Sequence, residues 1–385
     1  MLGTQVTQQA ADARSRCSPT AAPGPGTDGD VTAAVERVLE RVLRERVAEA
    51  ARVDPDFARD VAQRLMDFVL RDGKRLRAGF LWWGRRAAGG PEDGPGAEAA
   101  LRLGAALELI QGCALVHDDV MDESPLRRGA PAVHADFARR HESAGMRGSS
   151  RAFGTAAAVL TGDLALSWAD DLMTAGALAA EEGPRVHREW QAMRTELVAG
   201  QYLDLHAQAA RTTAVAGAVR IARLKSALYT VERPLALGAA LAGADEATTS
   251  ALRAAGRCAG IAFQLRDDIL GAFGDPARTG KPSGDDLTEG KLTCLRALAL
   301  QLARSSGDGD AVDALEGSGP PDPDRLRAAI ERTGARAVVE DRIGRLVETG
   351  IGHLAPIRCE PRVLRDLGLL IRRAADVPAP DGGAA

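Results

Sequence analysis

Two acid clusters, each inside its own helical stretch, carry the chemistry legible in this chain. The first is Asp118-Asp119-Val120-Met121-Asp122; the second is Asp267-Asp268, within Phe263-Gln264-Leu265-Arg266-Asp267-Asp268. Positions i and i+4 share a helix face, so Asp118 and Asp122 project side by side. Pro125 stops that helix shortly afterwards. Both carboxylates therefore stand near a helix C-terminus, whose partial negative charge disfavours an acid by roughly 0.3–1 kcal/mol. A bound cation compensates. Hard oxygen ligands without Cys or His partners favour magnesium, which keeps several waters and binds through substrate phosphates.

The basic residues point the same way. Arg is strongly preferred to Lys, and the four lysines are Lys74, Lys225, Lys281 and Lys291. They stand in Gly73-Lys74-Arg75-Leu76-Arg77, Leu224-Lys225-Ser226, Thr279-Gly280-Lys281-Pro282 and Glu289-Gly290-Lys291. Lys is a compact point charge suited to phosphate. Three of the four adjoin Gly in loop-like settings, and a chain that keeps Lys only in these four contexts needs an ammonium there, where chance placement would scatter it over the surface.

Length permits one large domain or two ordinary ones. Aromatics are few, and Ala, Leu, Arg and Glu dominate, which favours helix. A net charge of −4 with no basic stripe argues against nucleic acid. No uninterrupted apolar run of bilayer length is visible, so the chain reads as not membrane-spanning. Cys17, Cys113, Cys258, Cys294 and Cys359 lack any metal spacing and read as reduced thiols of a cytoplasmic protein. Residues 1–30 are rich in Gly, Pro, Ser, Thr and Ala and read as a disordered tail with no secretory or organellar signal. Residues 377–385 read as a second loose tail, leaving one domain over 31–376.

Helical periodicity is expected over 31–52, from Pro55 to the Asp72-Gly73 break, and over 75–88, 101–122, 153–175, 185–210, 213–242 and 246–273. Weaker helices are expected at 287–304, 323–333, 335–354 and 361–374. Loops fall at 123–133, 141–150 and 274–286. No alternating apolar pattern that would make a sheet is present, so the fold is read as all-α, about a dozen helices forming a bundle.

Two acid clusters on separate helices can face each other across a bundle interior. Arg127-Arg128 follows the first, Lys281 follows the second, and residues 73–77 supply another basic centre. One acidic metal cage with two or more basic centres suits two phosphorylated ligands. The small apolar residues before the first cluster, Leu109, Ile110, Cys113 and Ala114, suit a greasy tail on one of them. An Asp-Asp-x-x-Asp on a solvated face carries no function by itself; its attachment to an apolar helix and to Arg-Arg-Gly sets this one apart. His117 reads as a hydrogen-bonded helix residue, Trp82-Trp83 as core, and Asp285-Asp286 as a solvated loop or helix cap.

With these residues in place, the chain resembles the trans-isoprenyl diphosphate synthases, of the geranylgeranyl or polyprenyl diphosphate synthase family. The resemblance runs from Val31 to Arg373. It is carried by residues 73–77, His117 to Asp122, Leu126-Arg127-Arg128-Gly129, Gly162-Asp163, Gly200-Gln201-Tyr202-Leu203-Asp204, Lys225-Ser226-Ala227-Leu228-Tyr229, Phe263 to Asp268, and the loops around Lys281 and Lys291. It implies an all-α bundle with a deep central cavity, a homodimer, and three magnesium ions bridging an allylic diphosphate. By the same resemblance Asp118 and Asp122 hold two metals and Asp267 the third, with Asp119 and Gln264 in the catalytic set. Arg127, Lys225 and Lys281 bind the allylic diphosphate. Lys74, Arg77, Gln111 and Arg128 bind isopentenyl diphosphate, and Ser226, Gln264 and Lys291 complete the substrate contacts. The implied reaction is ionisation, condensation and proton loss, with the released diphosphate as base.

The chain departs from the family pattern at Asp72 (usually Gly), Ala78 (often Pro), Ser226 (more usually Thr) and Gly271 (the last Asp of the second motif in short-chain members). Gln111 stands where long-chain members carry His. Short-chain members close the tunnel with aromatics before the acid motif. Cys113 and Ala114 leave that floor open, and Ile110 and Leu109 form the next one with Trp168 from a facing helix, which leads to the expectation of a C20 or longer product. A class I terpene cyclase and a non-catalytic subunit of a heteromeric synthase are the alternatives. The second basic centre weighs against the first, and the retention of both acid clusters weighs against the second.

Overall fold

The computed structural model describes residues 27–71, 73–274, 291–317 and 322–379. Its centre is α5 (Pro95–Met121), which buries side chains on every side, from Ala97 to Asp119. A helix apolar all round belongs inside a bundle, and α5 lies along α7 (Ser150–Ala179) and against α1 (Val31–Val53) and α4 (Leu76–Ala87). Between α1 and α4 the chain makes α2 (Pro55–Phe57), a wide π-type turn (Ala58–Ala62) and α3 (Gln63–Leu70). After α7 come α8 (Gly183–Ala209), α9 (Val215–Ile221), a π-helical segment (Ala222–Glu232), α10 (Arg233–Leu241) and α11 (Glu246–Phe273). The C-terminal part is α12 (Cys294–Ser306), α13 (Gly309–Glu316), α14 (Pro323–Arg332), α15 (Ala335–Gly352) and α16 (Pro361–Ala374). α11 packs along the π segment and α15, and α10 along α4.

The helix starts follow local chemistry. Asp30, Ser149, Asp245 and Thr293 each accept a hydrogen bond from a backbone N–H in the first turn of the helix they precede, satisfying donors the helix itself leaves open. α11 has the expected bounds. α5 begins at Pro95, six residues before the expected start, because Pro is well placed in a first helical turn. α6 (Val133–Ser143), between the two expected loops, and α13 were not assigned by periodicity. Each is short, with only three and two buried residues respectively.

One exception to the all-α reading sits beside the acid cluster. Leu126–Arg127 pairs antiparallel with Ala130–Pro131 through the turn Arg128-Gly129, both with positive φ (52° and 70°). Two consecutive left-handed residues make the type I′ turn that suits a two-residue hairpin. The segment is too short for alternation to reveal it.

The expected bounds of the two tails are corrected. Residues 27–29, placed in the tail, form a 3-10 turn that is anchored in the fold. Asp28 is buried, accepts from Trp82 Nε1 at 2.8 Å and from Arg86 Nη2 at 2.9 Å, and its own N–H donates to Glu92. Composition cannot reveal this, because the partners lie more than fifty residues away. At the other end Val377 donates to the Arg372 carbonyl and packs on the core, so order continues past 376. α5 and α7 are each long and apolar enough, by length and composition, to cross a membrane, a test that the buried core helices of a bundle also meet. Scattered polar residues hid this from a search for uninterrupted runs. The bundle buries 67% of the apolar window of α5 and 39% of that of α7.

Asp28→Ala leaves Arg86 buried with one carbonyl partner and the more distant Glu360. Breaking a buried ion pair on one side costs about 3–5 kcal/mol. Urea unfolding followed by circular dichroism should show a loss of that order; a loss below about 1 kcal/mol would mean that Asp28 does not anchor the N-terminal turn.

Candidate active site

A cavity of about 620 Å³ opens between α4, α5, α8, the π segment and α11. The face of α5 that reaches it carries Glu108, Gln111, Ala114, Leu115 and Asp118, the stripe that steps of three and four residues select. Facing it, the π segment presents Lys225, Ser226, Tyr229 and Thr230, and α11 presents Phe263, Gln264, Asp267 and Asp268. The i→i+5 turns of a π segment are rare and concentrate at functional sites. Here they turn two adjacent residue pairs, four apart, toward one cavity.

The acidic end is built around Lys225. Its ammonium donates to Asp118 Oδ1 at 3.1 Å and to Asp204 Oδ2, from α8, at 2.7 Å. Gln201, one turn before Asp204, donates to the same Asp118 oxygen at 3.0 Å. This approach requires Gly200: a Cβ there would lie 2.5 Å from the backbone nitrogen of Lys225. Lys291 donates to Asp122 Oδ2 at 2.7 Å. Asp119, fully buried, turns the other way and is paired with Arg127 through both Nε and Nη2. Arg127 Nη2 also lies 3.6 Å from Asp118.

These charges set one another's protonation. Burial opposes ionisation of Asp118, but Lys225, Lys291 and Arg127 outweigh it and hold the carboxyl down at about 2. Burial, with the Asp118 charge beside it, pushes Asp122 up against the pull of Lys291. Lys225 is raised by Asp118 and Asp204 against the opposing effect of burial. The site thus holds one carboxyl below its ordinary range and one above it, and a further cation would favour the charged form of both.

The other end is cationic. Lys74, Arg77 and Arg128 line it. Arg75, left-handed at φ 48°, is taken up by Glu108 at 3.1 Å and Glu36 at 3.3 Å. Arg77 donates to Thr230 Oγ1 at 2.9 Å, and Arg128 donates to the Arg71 carbonyl at 2.9 Å; neither acceptor is an acid. Burial, then Arg75 and Arg127 nearby, press the Arg128 guanidinium below its ordinary value. Cations gathered without matching acids form a receptor for an anion.

The cavity brings together Asp118, Asp267, Gln264, Arg127, Lys225, Ser226, Lys291, Lys74, Arg77, Gln111, Arg128 and Ala114. Asp119 lies behind it. Lys281, Asp72, Asp275 and Asp285-Asp286 lie outside the described residues. Cys113, Ile110 and Leu109, expected along the tunnel, are buried in packing and do not line this cavity. Five residues separate Cys113 from Asp118, which turns it about 140° away on a helix of 3.6 residues per turn. Its sulfur instead meets His117 Nδ1 at 3.7 Å, and burial lifts the thiol to about 12. His117 Nε2 contacts the Val159 carbonyl at 3.2 Å, the hydrogen-bonded helix role expected of it. Asp204, Gln201 and Glu108 were given no role from sequence; the signal available was an acid or amide on the buried face of its helix. Asp268 accepts from the Cys294 backbone N–H at 2.9 Å and from Gln264 Nε2 at 2.7 Å, so it orders the start of α12.

Among the described residues no group of three His, Cys, Asp or Glu stands ready as a metal cage. The donors fit magnesium all the same. They are carboxylates only: Asp118 lines the cavity from α5 and Asp267 from α11, and Asp122 caps α5 one turn beyond Asp118. Magnesium binds through one or two carboxylates together with waters and substrate phosphates, and needs no all-protein cage.

A family model described as polyprenyl synthetase matches residues 59–333. The chain is 33% identical over 289 residues to a geranylfarnesyl diphosphate synthase of Aeropyrum pernix, covering 74% of this chain and 83% of that one. It is 30% identical over 304 residues to a geranylgeranyl diphosphate synthase of Mycobacterium tuberculosis, covering 78% and 80%. A geranylgeranyl pyrophosphate synthase of Corynebacterium glutamicum, solved with isoprenyl diphosphate and magnesium, superposes with a TM-score of 0.82 at 39% identity, covering 89% of this chain and 98% of that one.

Asp118→Ala and Asp267→Ala should each lower magnesium-dependent turnover at this site by a hundredfold or more, equivalent to about 2.7 kcal/mol or more of lost transition-state stabilisation. Folding should survive, since Lys225 keeps Asp204. Steady-state assays in which both variants retain more than a tenth of wild-type turnover would remove these acids from the metal site.

Proposed function

The chain belongs to the polyprenyl synthetase family, and from that premise we propose that it is a magnesium-dependent prenyltransferase. It condenses isopentenyl diphosphate head-to-tail with an allylic diphosphate and releases diphosphate. The observation that carries this reading is the polarity of one cavity: ionised acids with lysines at one end, arginines without acid partners at the other, and apolar walls between. A terpene cyclase, acting on one diphosphate, leaves the second cationic end unexplained.

Asp118, Asp122 and Asp267 would hold the metal, Lys225, Lys291 and Arg127 the allylic diphosphate, and Lys74, Arg77, Gln111 and Arg128 the isopentenyl diphosphate. Magnesium, when bound, neutralises charge developing on the leaving diphosphate. Lys225 and Arg127 add fixed positive charge at the same place. The allylic carbon–oxygen bond breaks, the isopentenyl double bond attacks the allylic cation, and a proton passes to the released diphosphate. Ser226 and Gln264 direct polar atoms toward the cavity from facing walls, suited to the developing cation. Leu115, Leu197 and Ile221 exclude water from it.

Product length is read at Ala114, the small residue on the cavity face one turn above Asp118. An open wall there supports a C20 product or a longer one. We also assign a homodimer, supported by exposed Leu160 on α7 (63%) and Val198 and Tyr202 on α8 (68% and 63%). Cys113, Cys258, Cys294 and Cys359 are unpaired thiols, which supports a cytoplasmic setting.

Incubation with isopentenyl and farnesyl diphosphates and magnesium should give geranylgeranyl or longer diphosphate, separated by chromatography. Ala114→Phe should move the product toward fifteen carbons; an unchanged length would move the measuring wall elsewhere. No elongation by the wild type would overturn the functional reading. For the dimer, sedimentation velocity of the Leu160→Arg, Val198→Arg double variant should show a monomer, and a persisting dimer would place the interface on another face.

A further inference from the structure

Tyr229 follows Lys225 by four residues on the π segment and lines the same cavity. It is 2% exposed; the Arg77 guanidinium approaches its hydroxyl, which donates to no acceptor of the protein. Its ring carries the Arg77 guanidinium, 4.3 Å from the centroid, while the next residue, Thr230, accepts from Arg77 Nη2. Two consecutive residues therefore hold one guanidinium. Arg77 Nε is also without a partner, and so are the acceptors Glu108 Oε1 and Gln111 Oε1. These four buried atoms do not satisfy one another.

A buried tyrosine hydroxyl ordinarily finds a partner, because leaving it unpaired is unfavourable. A phenylalanine would give Arg77 the same ring without that penalty. The hydroxyl therefore has a use when the cavity is filled. Burial, against the pull of Arg77, pushes the phenol above its ordinary value, so it remains an O–H donor at neutral pH. With Arg77 Nε it gives the cavity two unused donors, and a diphosphate is the ligand class that offers several acceptors at once.

We infer that Tyr229 is a positioning and specificity residue for isopentenyl diphosphate: its ring fixes the Arg77 guanidinium and its hydroxyl donates to the diphosphate that Arg77 receives. This rests on the prenyl-transfer reading above and adds a residue to it. The allylic diphosphate, bound at the lysine end, does not use this hydroxyl.

The test compares Tyr229→Phe, which keeps the ring, with Tyr229→Leu, which removes ring and hydroxyl, in the full chain with magnesium. Tyr229→Phe should raise KM for isopentenyl diphosphate about tenfold, as expected for one hydrogen bond to a charged group. KM for the allylic substrate should stay within about twofold and the melting temperature should not fall, a split that a purely structural role would not produce. Tyr229→Leu should raise the isopentenyl KM further and lower kcat. An isopentenyl KM unaltered by Tyr229→Phe, or equal shifts for both substrates, overturns the inference. Calorimetric binding of inorganic diphosphate keeps the two claims apart. A wild type that binds it without transferring a prenyl group removes the functional reading alone. Weaker binding in Tyr229→Phe then still upholds the role of Tyr229, and unchanged binding overturns it.

Discussion

Lys225, held between Asp118 and Asp204, is the contact on which the arrangement of the site depends. It joins three elements, the π segment, α5 and α8, through one ammonium with oxygens at 3.1 and 2.7 Å. Removing water from three charges is costly unless each finds close partners. That requirement explains several features that look unrelated. Gly200 allows α8 close enough for Asp204 to reach. The π turns point Lys225 inward. Gln201 takes up part of the remaining hydrogen-bonding capacity of Asp118. The outcome is an acid that stays ionised despite burial, positioned on a helix that is packed on every side.

The opposite end of the cavity is held open by backbone as much as by side chains. Arg75 and Arg128 both occupy the left-handed region that residues with a Cβ rarely visit. Arg75 does so just before α4, with its side chain directed onto Glu108 and Glu36. Arg128 does so in the I′ turn that follows the acid cluster. Strain of this kind persists only where surrounding contacts over-determine it. Here those contacts are the Arg71 carbonyl for Arg128 and the Glu108 carboxylate for Arg75. The positive charge is therefore assembled before any ligand arrives.

Local sequence information was enough for whatever depended on spacing along one element. The shared face of Asp118 and Asp122, the second cluster on α11 and the bounds of that helix follow from periodicity alone, and the lysines were singled out by their rarity. Contacts between distant segments were not legible. Asp28 looks like part of a polar tail until Arg86 and Trp82 are brought to it. Asp204 looks like one acid among many until Gly200 brings its helix against Lys225. Cys113 was assigned to the tunnel by its distance along the chain from Asp118, but the angle around the helix decides the matter, and angle selects Ala114, Gln111 and Glu108.

That angular division of α5 has a consequence for how the protein can change. The helix is both the centre of the core and one wall of the cavity, and the two duties fall on different residues. Leu109, Ile110 and Cys113 are locked among neighbours, where a change of one methylene is felt throughout the bundle. Ala114 borders open space. A larger side chain there takes up volume that no other residue occupies, so variants at this position can arise without first passing through an unstable intermediate. The same helix is thus conservative on one side and evolvable on the other, and the dimensions of the bound tail can drift across a lineage while the bundle stays the same.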